Sequence, residues 1–434
     1  MLRHPHLHRA RRQLLSRNKW KLRIIFWSFT IGIGAIAALF SLGGAYADKF
    51  YFQLYQSSPL LAYSLTPLGL AFLAWLTRKH FSGTEGSGIP QMIAAMTSRE
   101  GKISSMVLSL RIAFSKIILT CGGLLCGASI GTIGPTIQVG ASIMYSIRQY
   151  FPLRDVDMRQ LLITAGGAAG ISAAFNNPLA GILFAIEELR RNFRGQTSST
   201  LIIAIVLAGL TTLAILGRYS FFGISSASMP ASLSVWPAIV LCAIAGGLLG
   251  GLFSQSLIFG ARKIGPIAQQ HPIYVALICG LLLSLIGYLS GGHVYGTGYA
   301  ESQRLMDGGE LSTAYPLLKL LATVVSYLSG IPGGIFTPSL SIGAGLGAEL
   351  GQIFTNIPQQ TLLLLGMVSY FTGVVQTPLT AFVIVMEMTN SSSMVLPLMA
   401  AALIAKGASH LVCPRPIYQI LAEAYLARLA PAKS

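Results

Sequence analysis

The chain has 434 residues, of which 53% are hydrophobic and only 10% are charged, and its mean hydropathy is +0.66. This composition excludes an ordinary soluble globular protein. The net charge of +17 does not indicate nucleic-acid binding, because no basic patch is interleaved with aromatic residues. Several charge-free stretches exceed the length of one membrane crossing, so we predict an all-α polytopic membrane protein. These stretches are 24–47, 117–147, 219–261, 264–300, 320–348 and 350–386.

The ends of the chain are basic. The first 23 residues hold eight Lys or Arg and no Asp or Glu. Because cytoplasmic segments of membrane proteins are enriched in Lys and Arg, we expect 1–23 to be a cytoplasmic segment that contacts the lipid bilayer, with both termini cytoplasmic. A transmembrane domain over 24–428 and a short tail over 429–434 complete the predicted organisation. The compact size, without room for a soluble regulatory domain, indicates a bacterial inner membrane protein.

The first glycine-rich interruption is Gly86-Ser87-Gly88-Ile89-Pro90, which opens a short apolar segment at 91–96. Ser87 offers a hydroxyl donor, and the glycines leave their backbone N–H groups uncovered. Taken alone, this motif also fits an ordinary loop with a helix N-cap.

The second interruption lies inside the apolar stretch 117–147. Residues 131–140 contain three glycines and Pro135. Lipid cannot hydrogen-bond a broken helix, so such a break is tolerated only where it is buried in protein or lines a cavity. A proline at the start of a helix leaves free N–H groups and a partial positive charge there, and this suits an anion. The segment therefore predicts half of an intramembrane anion site.

The chain contains an internal repeat. Gly131 and Pro135 match Gly334 and Pro338, and later segments of each half pair a Pro-Leu with an acid nine residues beyond its proline. The matched pairs in this second set are Pro178 with Pro378 and Glu187 with Glu387. Repeats in transporters are often inverted, with broken helices meeting near the membrane midplane. We expect halves over about 24–217 and 232–428, joined between residues 217 and 232.

Three motifs in this order resemble the signature motifs of the CLC family of chloride channels and proton/chloride exchangers. They are 86–90, 131–135 and 333–338, and Tyr418 resembles the tyrosine that this family uses. The resemblance implies a CLC-type fold of two inverted-topology repeats with broken helices. It also implies a homodimer with one independent pore per subunit, chloride as the transported ion, and no cofactor, metal or enzymatic activity.

The resemblance also implies roles for individual residues. The hydroxyls of Ser87 and Tyr418 would coordinate a dehydrated chloride, and the backbone N–H groups of Ile335 and Phe336 would complete the site. Serine at position 87 resembles the chloride-preferring members. The backbone along the anion path would be supplied by Gly86, Gly88, Gly131 and Gly134.

The second motif departs from the family pattern. The gating glutamate is replaced by Ile133, the preceding basic residue by Thr132, and an acid expected after the first motif by Ile93. Isoleucine can neither carry a proton nor imitate a chloride. We therefore expect channel-like, passive conduction of chloride with weak or no proton coupling. Voltage dependence and a role as an electrical shunt during acid stress are further expectations from the resemblance.

Two alternatives remain open from the sequence. Glu188 aligns with the inner proton-transfer glutamate of the exchangers, although it also fits a helix-end acid paired with Arg190, Arg191 or Arg194. A proton/chloride antiporter would need Glu188 and an unidentified outer acid, for which the candidates are Glu301, Asp307 and Glu349. A membrane hydrolase using Ser87 is disfavoured, because His80, His271, His293 and His410 have no accompanying motif.

Overall fold

The computed structural model describes residues 17–98, 101–150, 156–189, 198–217, 222 and 235–429. Regular structure within these ranges is helical, apart from two isolated β-bridges, and this confirms the all-α prediction. The expected join between the halves falls mostly outside the described residues, as do Arg190, Arg191 and Arg194.

Nine helices form the described part of the first half. They are α1 (Arg17–Ser57), α2 (Pro59–His80), α3 (Ile89–Thr97), α4 (Gly101–Val107), α5 (Leu110–Leu125), α6 (Ile133–Ser146), α7 (Val156–Ala174), α8 (Pro178–Phe184) and α9 (Ser198–Leu216). A single π-helical turn, Ala185–Leu189, continues from α8.

The described part of the second half also has nine helices. They are α10 (Trp236–Gln270), α11 (Pro272–Leu289), α12 (Tyr299–Met306), α13 (Tyr315–Leu328), α14 (Phe336–Ile353), α15 (Gln359–Val375), α16 (Pro378–Met388), α17 (Val395–Val412) and α18 (Ile417–Leu429).

Only some of these helices are built to cross a membrane. Within the described ranges, six helical segments are long and apolar enough to do so, and one of them, Gly101–Leu125, is formed by α4 and α5 together. Large apolar side chains such as Leu60, Leu68 and Leu411 are more than 60% exposed, which suits contact with lipid tails rather than water. Of the three helices that follow the glycine motifs, α3 has 9 residues, α6 has 14 and α14 has 18, and several residues of each are fully buried. This is the arrangement that irregular backbone inside a membrane requires.

The two halves pack their broken helices in the same way. A Cβ at Gly140 in α6 would collide with the carbonyl oxygen of Gly166 in α7, and one at Gly166 would collide with that of Gly140. Gly343 in α14 and Gly366 in α15 form the corresponding pair in the second half. Glycine at these four positions lets neighbouring backbones touch, as small residues do in membrane helix pairs.

The halves are also joined by reciprocal contacts of the two repeat-related acids. The Glu187 carboxylate accepts hydrogen bonds from Leu379 N at 3.2 Å, from Thr380 N at 2.8 Å and from Thr380 Oγ1 at 2.9 Å, at the start of α16. Glu387 Oε2 accepts from Nδ2 of Asn177, the N-cap of α8, at 2.6 Å. Each carboxylate thus lies near a helix N-terminus of the other half, where negative charge is stabilising.

Candidate functional site

The three glycine motifs are held together by backbone hydrogen bonds. Gly86 N donates to Ile331 O at 3.2 Å, and Gly333 N donates to Gly86 O at 3.0 Å. Gly131 and Gly334 exchange two bonds, each of 2.7 Å. Segments far apart in the sequence therefore meet at one point in the core of the protein.

Glycine is required where these loops approach one another. A Cβ at Gly134 would lie 2.5 Å from Ser87 Oγ, and a Cβ at Gly334 would lie 3.0 Å from Gly134 N. Gly86 and Gly88 have φ angles of +59° and +94°, in the region that favours glycine. The contacts bring Ser87, Gly134 and Gly334 side by side.

Three helices begin at this meeting point. α3 starts at Ile89, α6 at Ile133 and α14 at Phe336, each directly after its glycine loop. The first N–H groups of a helix have no partner inside that helix, and together they carry a partial positive charge. Ile335 is the N-cap of α14, so the N–H groups of Ile335 and Phe336 belong to this set.

Several hydroxyls at the site are buried without a hydrogen-bond partner among the described residues. They belong to Ser87, Tyr418 and Thr337. The first two are only 1% exposed, and the Tyr418 hydroxyl faces that of Ser87, with Glu188 close enough to interact with it electrostatically. An unpartnered buried hydroxyl costs roughly 1–3 kcal/mol, so the site has unused donors where an anion could accept.

An aromatic cluster surrounds the start of α14. The ring of Phe336 lies 5.0 Å from that of Phe371 and 5.8 Å from that of Tyr418, measured between centroids. Phe175 and Phe184 contact it on other sides. These rings exclude water from the site, which strengthens dipolar interactions within it.

A buried lysine supports the first loop. Lys116 in α5 is inaccessible to solvent, and its Nζ donates to the carbonyls of Thr84 and Gly86 at 2.7 Å each. The sequence analysis missed this residue, because it lies just outside the charge-free stretch 117–147. The available signal was a charged residue in the middle of an apolar helix, which is rare in membranes.

A cavity of about 400 Å³ reaches the first loop at Gly86 and Gln91. Arg78, Arg262 and Arg428 lie among the residues that line it. Glu85 also lines the cavity, with its Oε1 3.9 Å from Arg78 Nη1. Three guanidinium groups against one carboxylate leave the lining net positive, which raises the local concentration of small anions beside the loop.

The acids named from the sequence occupy different environments. Glu188 is buried in the π-helical turn after α8, near Tyr418. Glu301 is 8% exposed, and its Oε1 lies 3.8 Å from His293 Nδ1. Asp307 is exposed, and Glu349 makes one long contact of 3.5 Å with Gln352.

Position 133 carries no ionisable group. Ile133 is 1% exposed and packs in the main hydrophobic cluster at the start of α6. Among the described residues, no group of His, Cys, Asp and Glu could hold a metal ion. In the same part of the chain, no histidine hydrogen-bonds Ser87, so no nucleophile–base pair forms there.

Comparisons with known proteins agree with this architecture. The family model described as voltage gated chloride channel matches residues 69–410. The chain therefore belongs to this family of CLC channels and transporters, and is a multi-pass membrane protein of chloride transport.

Solved structures support the fold. The crystal structure of a CLC-type fluoride/proton antiporter superposes with a TM-score of 0.79 at 22% identity, covering 93% of this chain and 98% of that one. The structure of a slow cyanobacterial Cl⁻/H⁺ antiporter superposes with a TM-score of 0.78 at 24% identity, covering 93% of this chain and 98% of that one. The structure of a eukaryotic CLC transporter superposes with a TM-score of 0.71 at 19% identity, covering 93% of this chain and 74% of that one.

Proposed function

We propose that the protein is a passive, channel-like pathway for chloride. The observation that carries the anion pathway is the set of unpartnered donors where three helix N-termini meet, and Ile133 carries its passive character. Ser87 and Tyr418 supply hydroxyls, and the start of α14 supplies N–H groups. Neutral donors bind a halide without holding it tightly, which conduction requires.

The absence of proton coupling is inferred from Ile133. A coupled exchanger needs an ionisable group that alternates between binding a proton and competing with the anion. Ile133 begins α6 beside Gly134, whose own neighbour is Ser87. A buried alkyl side chain there can do neither, so chloride movement should proceed without proton movement.

The second candidate is a proton/chloride antiporter, and the buried position of Glu188 near Tyr418 favours it. Two of the similar structures are antiporters, one of fluoride and protons and one of Cl⁻ and H⁺. This mechanism needs an outer acid, and Glu301 is the most deeply buried of the three candidates.

A flux assay separates the two candidates. Purified protein is reconstituted in liposomes with a chloride gradient, valinomycin and potassium hold the voltage, and chloride efflux and external pH are recorded together. Chloride efflux without proton movement supports the passive pathway. Proton movement driven uphill by chloride contradicts it, and Glu188→Gln then identifies the inner acid.

The setting is part of the proposal. We infer a homodimer in a bacterial inner membrane with both termini cytoplasmic, in which each subunit conducts separately. Such a pathway would balance the charge moved by other transporters, including those that work during acid stress, and its conductance could depend on voltage. The basic cavity beside Gly86 would then concentrate chloride at one mouth of the pathway.

A further inference from the structure

The second half contains a counterpart of the Ser87 loop that the sequence motifs did not identify. Gly296-Thr297-Gly298 precedes α12 as Gly86-Ser87-Gly88 precedes α3. Both pairs of glycines have positive φ, +59° and +94° in the first loop and +65° and +82° in the second. The two loops thus share their glycine spacing, backbone conformation and central hydroxyl residue.

Each loop is supported by a buried lysine at the equivalent position. Lys116 precedes Gly131 by 15 residues, and Lys319 precedes Gly334 by the same number. Lys319 Nζ donates to the carbonyls of the second loop, as Lys116 does to those of the first. Its acceptors are Val294 O at 2.9 Å, Tyr295 O at 3.2 Å and Gly296 O at 2.9 Å.

The loops differ in what their donors contact. Asp48 Oδ2, from α1, accepts hydrogen bonds from Thr297 N at 3.1 Å and from Thr297 Oγ1 at 2.6 Å. The carboxylate fills the space beside Gly296 so closely that a Cβ there would overlap Asp48 Oδ1. The corresponding hydroxyl in the first loop, that of Ser87, has no hydrogen-bond partner among the described residues.

We propose that the Gly296–Gly298 loop is a second anion-binding site, and that the Asp48 carboxylate is its built-in occupant. Without that carboxylate, the site would take a small monovalent anion of the halide class. The donors would be Thr297 N and Oγ1, and the ammonium of Lys319 would supply positive charge alongside them. Glu301 also lies near Lys319, so Asp48 and Glu301 together offset that charge in the native protein.

This arrangement explains why only one of two similar loops is available to a mobile ion. No carboxylate among the described residues bonds the Ser87 hydroxyl of the first loop, and Glu85 is the acid that interacts with Lys116 there. In the second loop the Asp48 carboxylate bonds Thr297 directly, and Asp48 and Glu301 both interact with Lys319. The inference goes beyond the proposed function and does not depend on whether transport is passive or coupled.

Halide binding tests the proposal. We would measure bromide binding to purified full-length protein by calorimetry and locate the ions by anomalous diffraction. Asp48→Ala and Asp48→Ser should each bind one more bromide per chain than the wild type, next to Thr297. Asp307→Ala, which removes an exposed carboxylate, should leave the number unchanged. A folded Asp48 variant with the wild-type number of bromides would overturn the proposal.

Two additions keep the result interpretable. If the variants are destabilised, their melting temperatures in bromide and in gluconate are compared. Recovery in bromide supports the second site, and equal destabilisation in both salts contradicts it. Ser87→Ala in the Asp48→Ala background should lose the first bromide and keep the new one. The double variant therefore shows whether bromide binds at Ser87 independently of whether it binds at Thr297.

Discussion

At the scale of single residues, the central feature is a set of donors that the protein does not use itself. Ser87 and Tyr418 are buried, yet their hydroxyls find no acceptor among the described residues. A fold normally pairs such groups, because leaving them unpaired is costly. Their presence where three helices begin indicates a place kept for an anion, and it can be tested by removing one donor.

Ser87→Ala should weaken bromide binding by roughly 10- to 100-fold, because a hydrogen bond to an ion contributes about 1.5–3 kcal/mol. Calorimetry on the purified protein measures the change. Ser256→Ala is a suitable control, since the Ser256 hydroxyl is exposed and bonds only the Leu252 carbonyl. Unchanged bromide affinity in Ser87→Ala would remove Ser87 from the site.

Ile133→Glu should make chloride efflux depend on pH. The new side chain begins α6, where the helix dipole stabilises negative charge. At low pH the carboxyl is neutral and the pathway stays open. As pH rises the carboxylate competes with chloride for the same N–H groups, so efflux falls. Efflux from liposomes over a range of pH measures this, and Ile133→Gln, which cannot ionise, should show no such fall. Equal pH profiles for the two variants would contradict the assignment.

Some residues of the site were predictable and others were not. Ser87, Gly131, Gly134, Ile335 and Phe336 lie in glycine motifs, and the structure brings these together, although their roles in chloride binding stay predictions. Thr337 lies in the third motif at a position with no assigned role, and Lys116 and Asp48 lie outside the motifs. Their importance follows from contacts with distant loops, such as the bond from Thr297 to Asp48, and no pattern along the chain records such contacts.

At the scale of helices, the two halves use the same packing devices. Each has a pair of facing glycines, Gly140 with Gly166 and Gly343 with Gly366, which sets the distance between a broken helix and its neighbour. The position of each helix N-terminus depends on that distance. The site is therefore sensitive to substitutions in helix contacts well away from the anion.

Gly343→Ala should lower the melting temperature in detergent. The added methyl would lie 2.6 Å from the Gly366 carbonyl oxygen, and relieving such overpacking typically costs about 1–3 kcal/mol. Gly407→Ala is the matched control, because a Cβ at Gly407 meets nothing within 4 Å. Equal melting temperatures for both variants would mean that α14 can move away from α15 to accommodate the methyl group without a cost in stability.

Glu187→Gln should also destabilise the protein, by about 1–2 kcal/mol, because the carboxylate caps the start of α16 through three hydrogen bonds. The free energy of unfolding, or the melting temperature, measures the loss. Glu349→Gln serves as control, since its one side-chain contact is the long one with Gln352. If the two variants have the same melting temperature, the Glu187 cap does not contribute to the stability of the protein.

At the scale of the whole molecule, the fold could be predicted almost entirely, because long apolar stretches, glycine breaks and an internal repeat all leave marks in the sequence. The helix bounds around Gly131 and Gly334 agree with the predicted interruptions. The reciprocal contacts of Glu187 and Glu387 could not be predicted from the sequence, because they join positions in different halves. The sequence showed that these acids are related but not that each reaches the other's half.

The backbone bonds between Gly131 and Gly334 also have a consequence for biogenesis. The first two motifs leave the ribosome long before the third, and they meet their partner only after most of α10 to α13 has been inserted. Until then the N-termini of α3 and α6 lack the neighbour that holds them in place. The meeting point of the three motifs is therefore assembled only after the third motif has been synthesised, with α15 to α18 still to follow.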